Sequence, residues 1–277
     1  MKTLGRESAI GILLLGAVLA SAGLTSCTEG PNRKPTPETA KRFLKLRGYE
    51  FNEKSFLSAA AANDVIAVNG FLAAGINPNV KDENGTTALI SAAAHGNEEI
   101  VNALLHGGAD VNVKDNFGYT AILRAIQNKH DEIVDALQAQ PHLDLNAQGS
   151  DGETVLMSYV WRGAEGTVKT LLERGADPNL HDEDGDTALH GAALRGNVNI
   201  LRMLLDAGVN PNAKNKLGGT ALMWAGVYGH EEAARLLMEK GAEPALKDEE
   251  GMTASAWAAK NKRDDVARLL RDAEKKR

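Results

Sequence analysis

Residues Asp184–Lys216 read DGDTALHGAALRGNVNILRMLLDAGVNPNAKNK, and this stretch determines the fold of the chain. It contains a turn, a small-residue segment opened by Thr187, a glycine break at Gly196, a leucine-rich segment and a Gly-x-Asn-Pro-Asn loop. The same features recur around threonines spaced 33 or 34 residues apart, namely Thr87, Thr120, Thr154, Thr187, Thr220 and Thr253. A fixed period of this length predicts an array of repeats, each built from two helices and a turn.

The repeated unit resembles the ankyrin repeat. The segment Thr187-Ala188-Leu189-His190 follows the Thr-Pro-Leu-His pattern of that family, except that Ala188 replaces proline, and Gly-Ala-Asp-x-Asn occurs at 108–112 and 175–179. The resemblance implies an all-α solenoid of about seven repeats, in which each repeat packs only on its neighbours. The expected repeats are 51–83, 84–116, 117–150, 151–183, 184–216, 217–249 and 250–277.

A capping helix is expected before the first repeat, because a solenoid must cover its first apolar face. Thr36 suits an N-cap, Pro37 suits the first helical position, and Gly48 suits a stop. We therefore predict a helix over residues 37–47, within a capping segment at 37–50. The first repeat is degenerate, since Lys54 and Asn63 stand where threonine and glycine are expected.

The N-terminus has the layout of a secretory signal, with a short basic start, an apolar run over residues 9–19 and then small residues. It ends in Leu24-Thr25-Ser26-Cys27, which resembles the bacterial lipobox, and the chain has no other cysteine. The resemblance implies a signal peptide over 1–26, a lipid on Cys27 and a proline-rich tether over 27–36. The alternatives are a plain signal peptide and an uncleaved anchor with an incidental cysteine, although the run is shorter than the ~20 residues of a membrane span.

The residue after Cys27 bears on location. In bacteria with two membranes, the lipoprotein sorting rule sends a protein with Thr28, rather than aspartate, at this position to the outer membrane. The resemblance thus implies a cell-envelope protein that is anchored to the membrane by its lipid and faces the periplasm.

The charge of the chain is unevenly distributed. The net charge is −6, to which the leader contributes +1 and residues 28–50 contribute +3, so the repeats carry −10. Nucleic-acid binding requires a basic patch for the phosphates, and the repeats have no basic stripe. We expect no nucleic-acid partner.

Motifs for catalysis or metal binding are lacking in the sequence. There is no Gly-x-Ser-x-Gly and no phosphate loop, so we expect no enzyme activity, cofactor or small-molecule substrate. Acidic turns at Asp144 and at 182–186 imitate calcium loops, but their spacing does not fit one, and turn aspartates commonly brace the backbone. The resemblance likewise gives His190 a structural role, as a hydrogen-bond partner of turn backbone. We expect no metal.

The family binds partners through its hairpin tips and the exposed positions of the first helix of each repeat. Tryptophan, tyrosine and arginine at such positions often dominate binding energy. The predicted contact residues are Phe117, Tyr119, Arg124, Trp161, Arg162, Trp224, Tyr228 and Trp257. The same positions hold Gln127, Asn128, Leu194, Arg195, Leu217, Val227, Met252 and Lys260. The alternative is that Trp224 and Trp257 pack between neighbouring first helices.

Repeats three and four are the least regular. Lys129 replaces a glycine, and Tyr159-Val160 replaces two alanines, so this bulk must separate the helices slightly or expose a side chain. We hypothesise that the partner site lies there, around Phe117, Tyr119 and Trp161, and the alternative is sequence drift.

The predicted function is a membrane-anchored, non-catalytic protein-interaction scaffold in the bacterial envelope. Two alternatives are a secreted or surface effector that binds host proteins, and an accessory factor that stabilises an envelope enzyme.

Overall fold

A computed structural model of the protein describes residues 35–275. This part of the chain forms fifteen α-helices, and its extended pairing is limited to isolated bridges at turns, such as Lys81 with Thr87. The helices form two compact units, which divide between Asp144 and Leu145. The signal peptide, Cys27 and most of the proposed tether lie outside the described residues. Within residues 35–275, no helix is long and apolar enough to cross a membrane.

The N-terminal unit contains the capping helix and the first three repeats. Within each repeat, the first helix packs on the second. Between neighbouring repeats, the first helices pack on each other, and so do the second helices. Its helices are α1 (Pro37–Leu46), α2 (Glu53–Ala61), α3 (Val65–Ala73), α4 (Ala88–His95), α5 (Glu98–His106), α6 (Ala121–Gln127) and α7 (Asp131–Gln138).

Helix α1 begins as its sequence predicts. The Thr36 side chain accepts a hydrogen bond from the backbone N–H of Thr39 at 3.3 Å, and Pro37 occupies the first turn. Phe43 and Leu44 are buried, and α1 packs on α3 of the first repeat. The helix therefore covers an apolar face that would otherwise be exposed.

The degenerate first repeat starts its first helix with a different cap. In later repeats the N-cap is a threonine, such as Thr87, whose hydroxyl accepts from the backbone N–H of Ile90 at 3.2 Å. In the first repeat Asn52 takes this role and accepts from the N–H of Ser55 at 2.8 Å. The helix consequently begins at Glu53, and Lys54 lies inside it.

The C-terminal unit contains four repeats with the same packing of successive first and second helices. Close approach of first helices depends on small residues. A Cβ added to Gly226 would lie 2.7 Å from the backbone oxygen of Ala254 in the next repeat. The helices are α8 (Val155–Arg162), α9 (Glu165–Glu173), α10 (Ala188–Arg195), α11 (Val198–Asp206), α12 (Ala221–Tyr228), α13 (Glu231–Glu239), α14 (Ala254–Lys260) and α15 (Asp264–Glu274).

The glycine break between the paired helices keeps its conformation when glycine is absent. Gly96 and Gly196 have φ of 78° and 68°, and the substitutes Asn63 and Lys129 have φ of 55° and 62°. Both substitutes thus adopt a left-handed conformation that is costly for a residue with a Cβ.

The bulky pair of repeat four is accommodated inside the fold. Tyr159 and Val160 are both buried. Of the two consequences expected from this bulk, exposure of a side chain does not occur at these two positions, because α8 turns both of them inward.

Candidate functional site

Five hairpin turns of the described residues are braced by an aspartate or asparagine at their start. Asp115 Oδ1 accepts the backbone N–H groups of Phe117 and Tyr119, each at 2.9 Å. Asp182 Oδ1 accepts those of Asp184 and Asp186, at 2.9 and 2.8 Å. The bracing role expected for the acidic turn at 182–186 is confirmed. The same position is occupied by Asp82, Asn215 and Asp248.

His190 has the structural role that its motif implies. The backbone N–H of Thr187 donates to Nδ1 at 3.0 Å, so Nδ1 is unprotonated. The other nitrogen, Nε2, then carries the proton and lies 3.2 Å from the carbonyl oxygen of Ala213 and 3.3 Å from that of Gly219. Burial lowers the pKa of His190, while the charge of Asp186 acts in the opposite direction. The neutral ring thus joins repeat five to the turn of repeat six.

In the N-terminal unit, two of the three predicted contact residues, Tyr119 and Arg124, pack against each other. Phe117 is 57% exposed and lines a cavity of about 480 Å³. Tyr119, in contrast, is 9% exposed, and the guanidinium of Arg124 lies 4.0 Å from its ring centroid. Arg124 in turn binds Asp115. The prediction that Tyr119 presents its ring on the surface is therefore wrong, because Arg124 covers it.

In the C-terminal unit, Trp161 and Trp224 line the same cavity, which has a volume of about 360 Å³. Trp161 lies in the last turn of α8, and Trp224 lies on α12, while α10 packs on both helices. The position in α10 that corresponds to Trp224 in α12 is occupied by Gly191, which has no side chain to fill the space. A Cβ there would lie 3.5 Å from Nε1 of Trp161, in ordinary van der Waals contact. We call this cavity the Trp161–Trp224 groove.

The Trp161–Trp224 groove is acidic. Its apolar lining includes Met157 and Leu194, and its carboxylates are Asp151, Glu153, Asp182, Glu183, Asp184 and Asp186. Within residues 35–275, no lysine or arginine forms an ion pair with any of these six. The groove therefore carries a net negative charge beside aromatic rings.

Two of these carboxylates are partly withdrawn from water. Burial raises the pKa of Glu153, and the charges of Asp151 and Asp182 raise it further, although a 2.9 Å hydrogen bond from Ser158 and the charge of Arg162 lower it. Burial also raises the pKa of Asp186, against a hydrogen bond from Asn215. Both groups are destabilised as anions, which a bound cation would relieve.

The three remaining predicted residues lie outside the groove. Arg162 is exposed, with its guanidinium 5.6 Å from the ring centroid of Tyr159. Tyr228 is 43% exposed and stacks on His230. Trp257 is half-buried, and its indole N–H donates to Asp248.

Comparison with protein families supports the assignment of the fold. A family model described as ankyrin repeats (3 copies) matches residues 33–115, 56–149, 107–182, 124–215, 156–248 and 208–277. The chain belongs to the ankyrin-repeat family. The ankyrin fold is typically a non-catalytic domain that binds other proteins. At the level of its family, this ankyrin-repeat protein is therefore a protein-interaction scaffold.

Two solved structures are similar to this ankyrin-repeat protein. An ankyrin repeat domain from Acinetobacter baumannii AYE is 33% identical, with a TM-score of 0.61, over 69% of this chain and 100% of that one. The ankyrin repeat domain of Bcl-3, described as a member of the IkappaB protein family, is 28% identical, with a TM-score of 0.61, over 77% of this chain and 97% of that one. Comparison with curated proteins found no match.

The polar side of the groove is not evident from the sequence motifs. Asp182, Asp184 and Asp186 fit the pattern of turn residues or imitate a calcium loop, and Glu153 and Gly191 belong to no recognised site motif. The difference between copies could have indicated Gly191, because its position holds Arg124 in repeat three and Trp224 in repeat six.

Proposed function

We propose that this protein is a non-catalytic interaction module, held at a bacterial membrane by a lipid on Cys27, that binds a protein partner through the Trp161–Trp224 groove. The observation that supports this is the groove itself, in which Trp161, 42% exposed, and Trp224 line one acidic cavity from repeats four and six. Large aromatic residues in such a depression supply most of the binding energy at protein interfaces. The anchoring part of the proposal is supported by the sequence Leu24-Thr25-Ser26-Cys27.

Anchoring is tested with the full chain produced in a two-membrane bacterium. We expect the unmodified protein in the outer-membrane fraction, labelled by an alkyne analogue of palmitate. The variant Cys27→Ser removes the thiol that accepts the lipid, and we expect neither label nor membrane retention by lipid. The control Ser26→Ala keeps the small residue before the cysteine and should still be labelled. Equal labelling of all three proteins would contradict lipidation at Cys27.

Partner binding is tested by crosslinking and capture from native membranes. Trp161→Ala removes an exposed ring from the groove, and Leu46→Ala is a matched control, because Leu46 is an exposed apolar residue, 67% accessible, on α1. We expect a captured envelope protein that is lost with Trp161→Ala and kept with Leu46→Ala. Identical captures by the two variants would show that the groove is not the partner site. A parallel Phe117→Ala variant tests the cavity of the N-terminal unit.

A further inference from the structure

The turn that leads into repeat three shows, within this protein, which side chain a turn aspartate can bind. The Nε and Nη2 atoms of Arg124 donate to Oδ2 of Asp115, at 3.1 and 2.6 Å. The Asp115 side chain is only 3% exposed, and the same guanidinium lies over Tyr119. A cation here neutralises a buried carboxylate and stacks on an aromatic ring, which are two interactions that suit arginine better than lysine.

The turn that leads into repeat five has the acceptor of this arrangement, Asp182, but repeat five lacks the donor. Asp182 braces its turn through Oδ1 as Asp115 does, but no residue within 35–275 donates a hydrogen bond to Asp182 Oδ2. Nine residues after Asp115 stands Arg124, and nine residues after Asp182 stands Gly191. The place that Arg124 fills in repeat three is therefore open in repeat five.

The walls of the Trp161–Trp224 groove also suit a guanidinium. Trp161 already has one arginine near its ring, since the Arg195 guanidinium lies 5.5 Å from the ring centroid. Arg195 forms no ion pair with a carboxylate among the described residues, so it neutralises none of the carboxylates of the groove directly. The second wall is Trp224, which lies on the next first helix.

We infer that the Trp161–Trp224 groove binds an arginine side chain from a basic segment of the partner, with Asp182 Oδ2 as its acceptor and the tryptophan rings as its walls. This inference rests on the proposed function and names the chemistry of the partner. An arginine inserted over Gly191 reproduces the Arg124–Asp115 pair between two molecules. The flanking carboxylates Glu183 and Asp184 favour further basic residues beside it, and they accelerate its approach.

The test is peptide binding to the full-length protein in detergent, measured by fluorescence anisotropy. The probe is a fluorescein-labelled peptide, Gly-Ser-Arg-Gly-Arg-Ser-Gly, compared with the same peptide carrying citrulline at both arginines. Citrulline keeps the shape of the side chain and removes its charge. We expect the arginine peptide to bind about tenfold more tightly or better. Equal affinities would overturn the assignment.

Two variants locate the binding. Asp182→Asn keeps the bracing oxygen, as Asn215 does naturally in the turn before repeat six, and removes the charge; we expect about tenfold weaker binding of the arginine peptide. Gly191→Arg should fill the groove from within, as Arg124 does in repeat three, and should likewise weaken peptide binding. Glu239→Gln, on α13 outside the groove, removes the same charge as a control and should leave binding unchanged.

The outcomes separate this inference from the proposed function. Equal affinities for Asp182→Asn and Glu239→Gln would show that arginine binds by general charge only. If capture of the partner depends on Trp161 but the peptides show no preference for arginine, the proposed function stands and the arginine assignment is wrong. Binding that appears only after Arg33→Gln and Lys34→Gln would assign the groove to the basic N-terminal segment of this chain, and would overturn a partner arginine.

Discussion

The indole Nε1 of Trp257 donates a hydrogen bond to Asp248 Oδ2 over 2.6 Å, which ties the first helix of the last repeat to the turn that precedes it. Lys260 Nζ lies 4.2 Å from the centroid of the same ring. The relationship repeats that of Arg124 with Asp115, nine residues apart in both cases. A side chain nine residues after the turn aspartate is therefore bound to that aspartate wherever it can donate a hydrogen bond to the free carboxylate oxygen. Less of its surface is then available to a partner.

The first prediction concerns the energy of the Arg124–Asp115 pair. Asp115→Ala removes the acceptor for Arg124 and for two backbone N–H groups, and leaves the guanidinium without its carboxylate. We expect the free energy of unfolding to fall by about 2–3 kcal/mol, measured by urea denaturation. Asp82→Ala is the matched control, because Asp82 braces its turn but is exposed and binds no arginine among the described residues. Its loss should be about 1 kcal/mol. Equal losses would show that the arginine pair adds nothing.

The second prediction concerns the pH dependence of stability at His190. Burial lowers its pKa in the folded state below the ordinary value of about 6.5. The folded state therefore takes up the proton less readily than the unfolded chain, and the contribution of His190 is complete above that ordinary value and is lost as the pH falls through the folded pKa. We expect His190→Gln to cost about 1–3 kcal/mol at pH 7.5, and less at pH 5.5.

The measurement for His190 is urea unfolding of both proteins at the two pH values. Asp186, whose carboxylate lies 3.9 Å from Nδ1, is present in both proteins, as is Glu153. The control His95→Gln changes an exposed histidine whose ring forms a hydrogen bond with the carbonyl of Ser91 in its own helix. Its difference from the parent should be the same at both pH values. A His190→Gln deficit that does not shrink in acid would be inconsistent with a buried neutral ring.

The third prediction compares two glycines inside first helices. Gly226→Ala places a Cβ 2.7 Å from a backbone oxygen of the neighbouring helix, so one helix must move. We expect a loss of about 1–3 kcal/mol in thermal or urea unfolding. Gly191→Ala meets its nearest atom at 3.5 Å and should gain about 0.5–1 kcal/mol, because alanine is the better helix former. A stabilising Gly226→Ala would mean that the repeats are packed less closely than described here.

The fourth prediction concerns the left-handed residue Lys129. Lys129→Gly relieves the clash of a Cβ at φ of 62°, and this gain outweighs the greater entropy of glycine in the unfolded chain. We expect an increase of about 0.5–1 kcal/mol in the free energy of unfolding. Lys216→Gly, at an exposed position without positive φ, should be destabilising by a similar amount. A loss of stability in both variants would contradict the strain at Lys129.

Much of the fold could be predicted from the sequence, because the features that repeat are local. The threonine caps, the glycine breaks and the alanine pairs each act within a few residues or on the adjacent repeat. The exceptions have local causes as well. In the first repeat the N-cap is Asn52, two residues before the position that the period of 33 gives for the threonine. The period alone therefore does not predict this cap.

The sequence by itself determined that this chain is an ankyrin-repeat array, because a period of 33 residues repeats the same caps and small residues. Only the tertiary structure decided which predicted contact residues are available. Tyr119 and Trp161 both stand at positions expected to be exposed, yet Arg124 covers Tyr119, while Gly191 leaves space beside Trp161. The physical reason is that the accessibility of a side chain depends on the residue that the same or the next repeat places against it, and the repeat pattern does not contain that information.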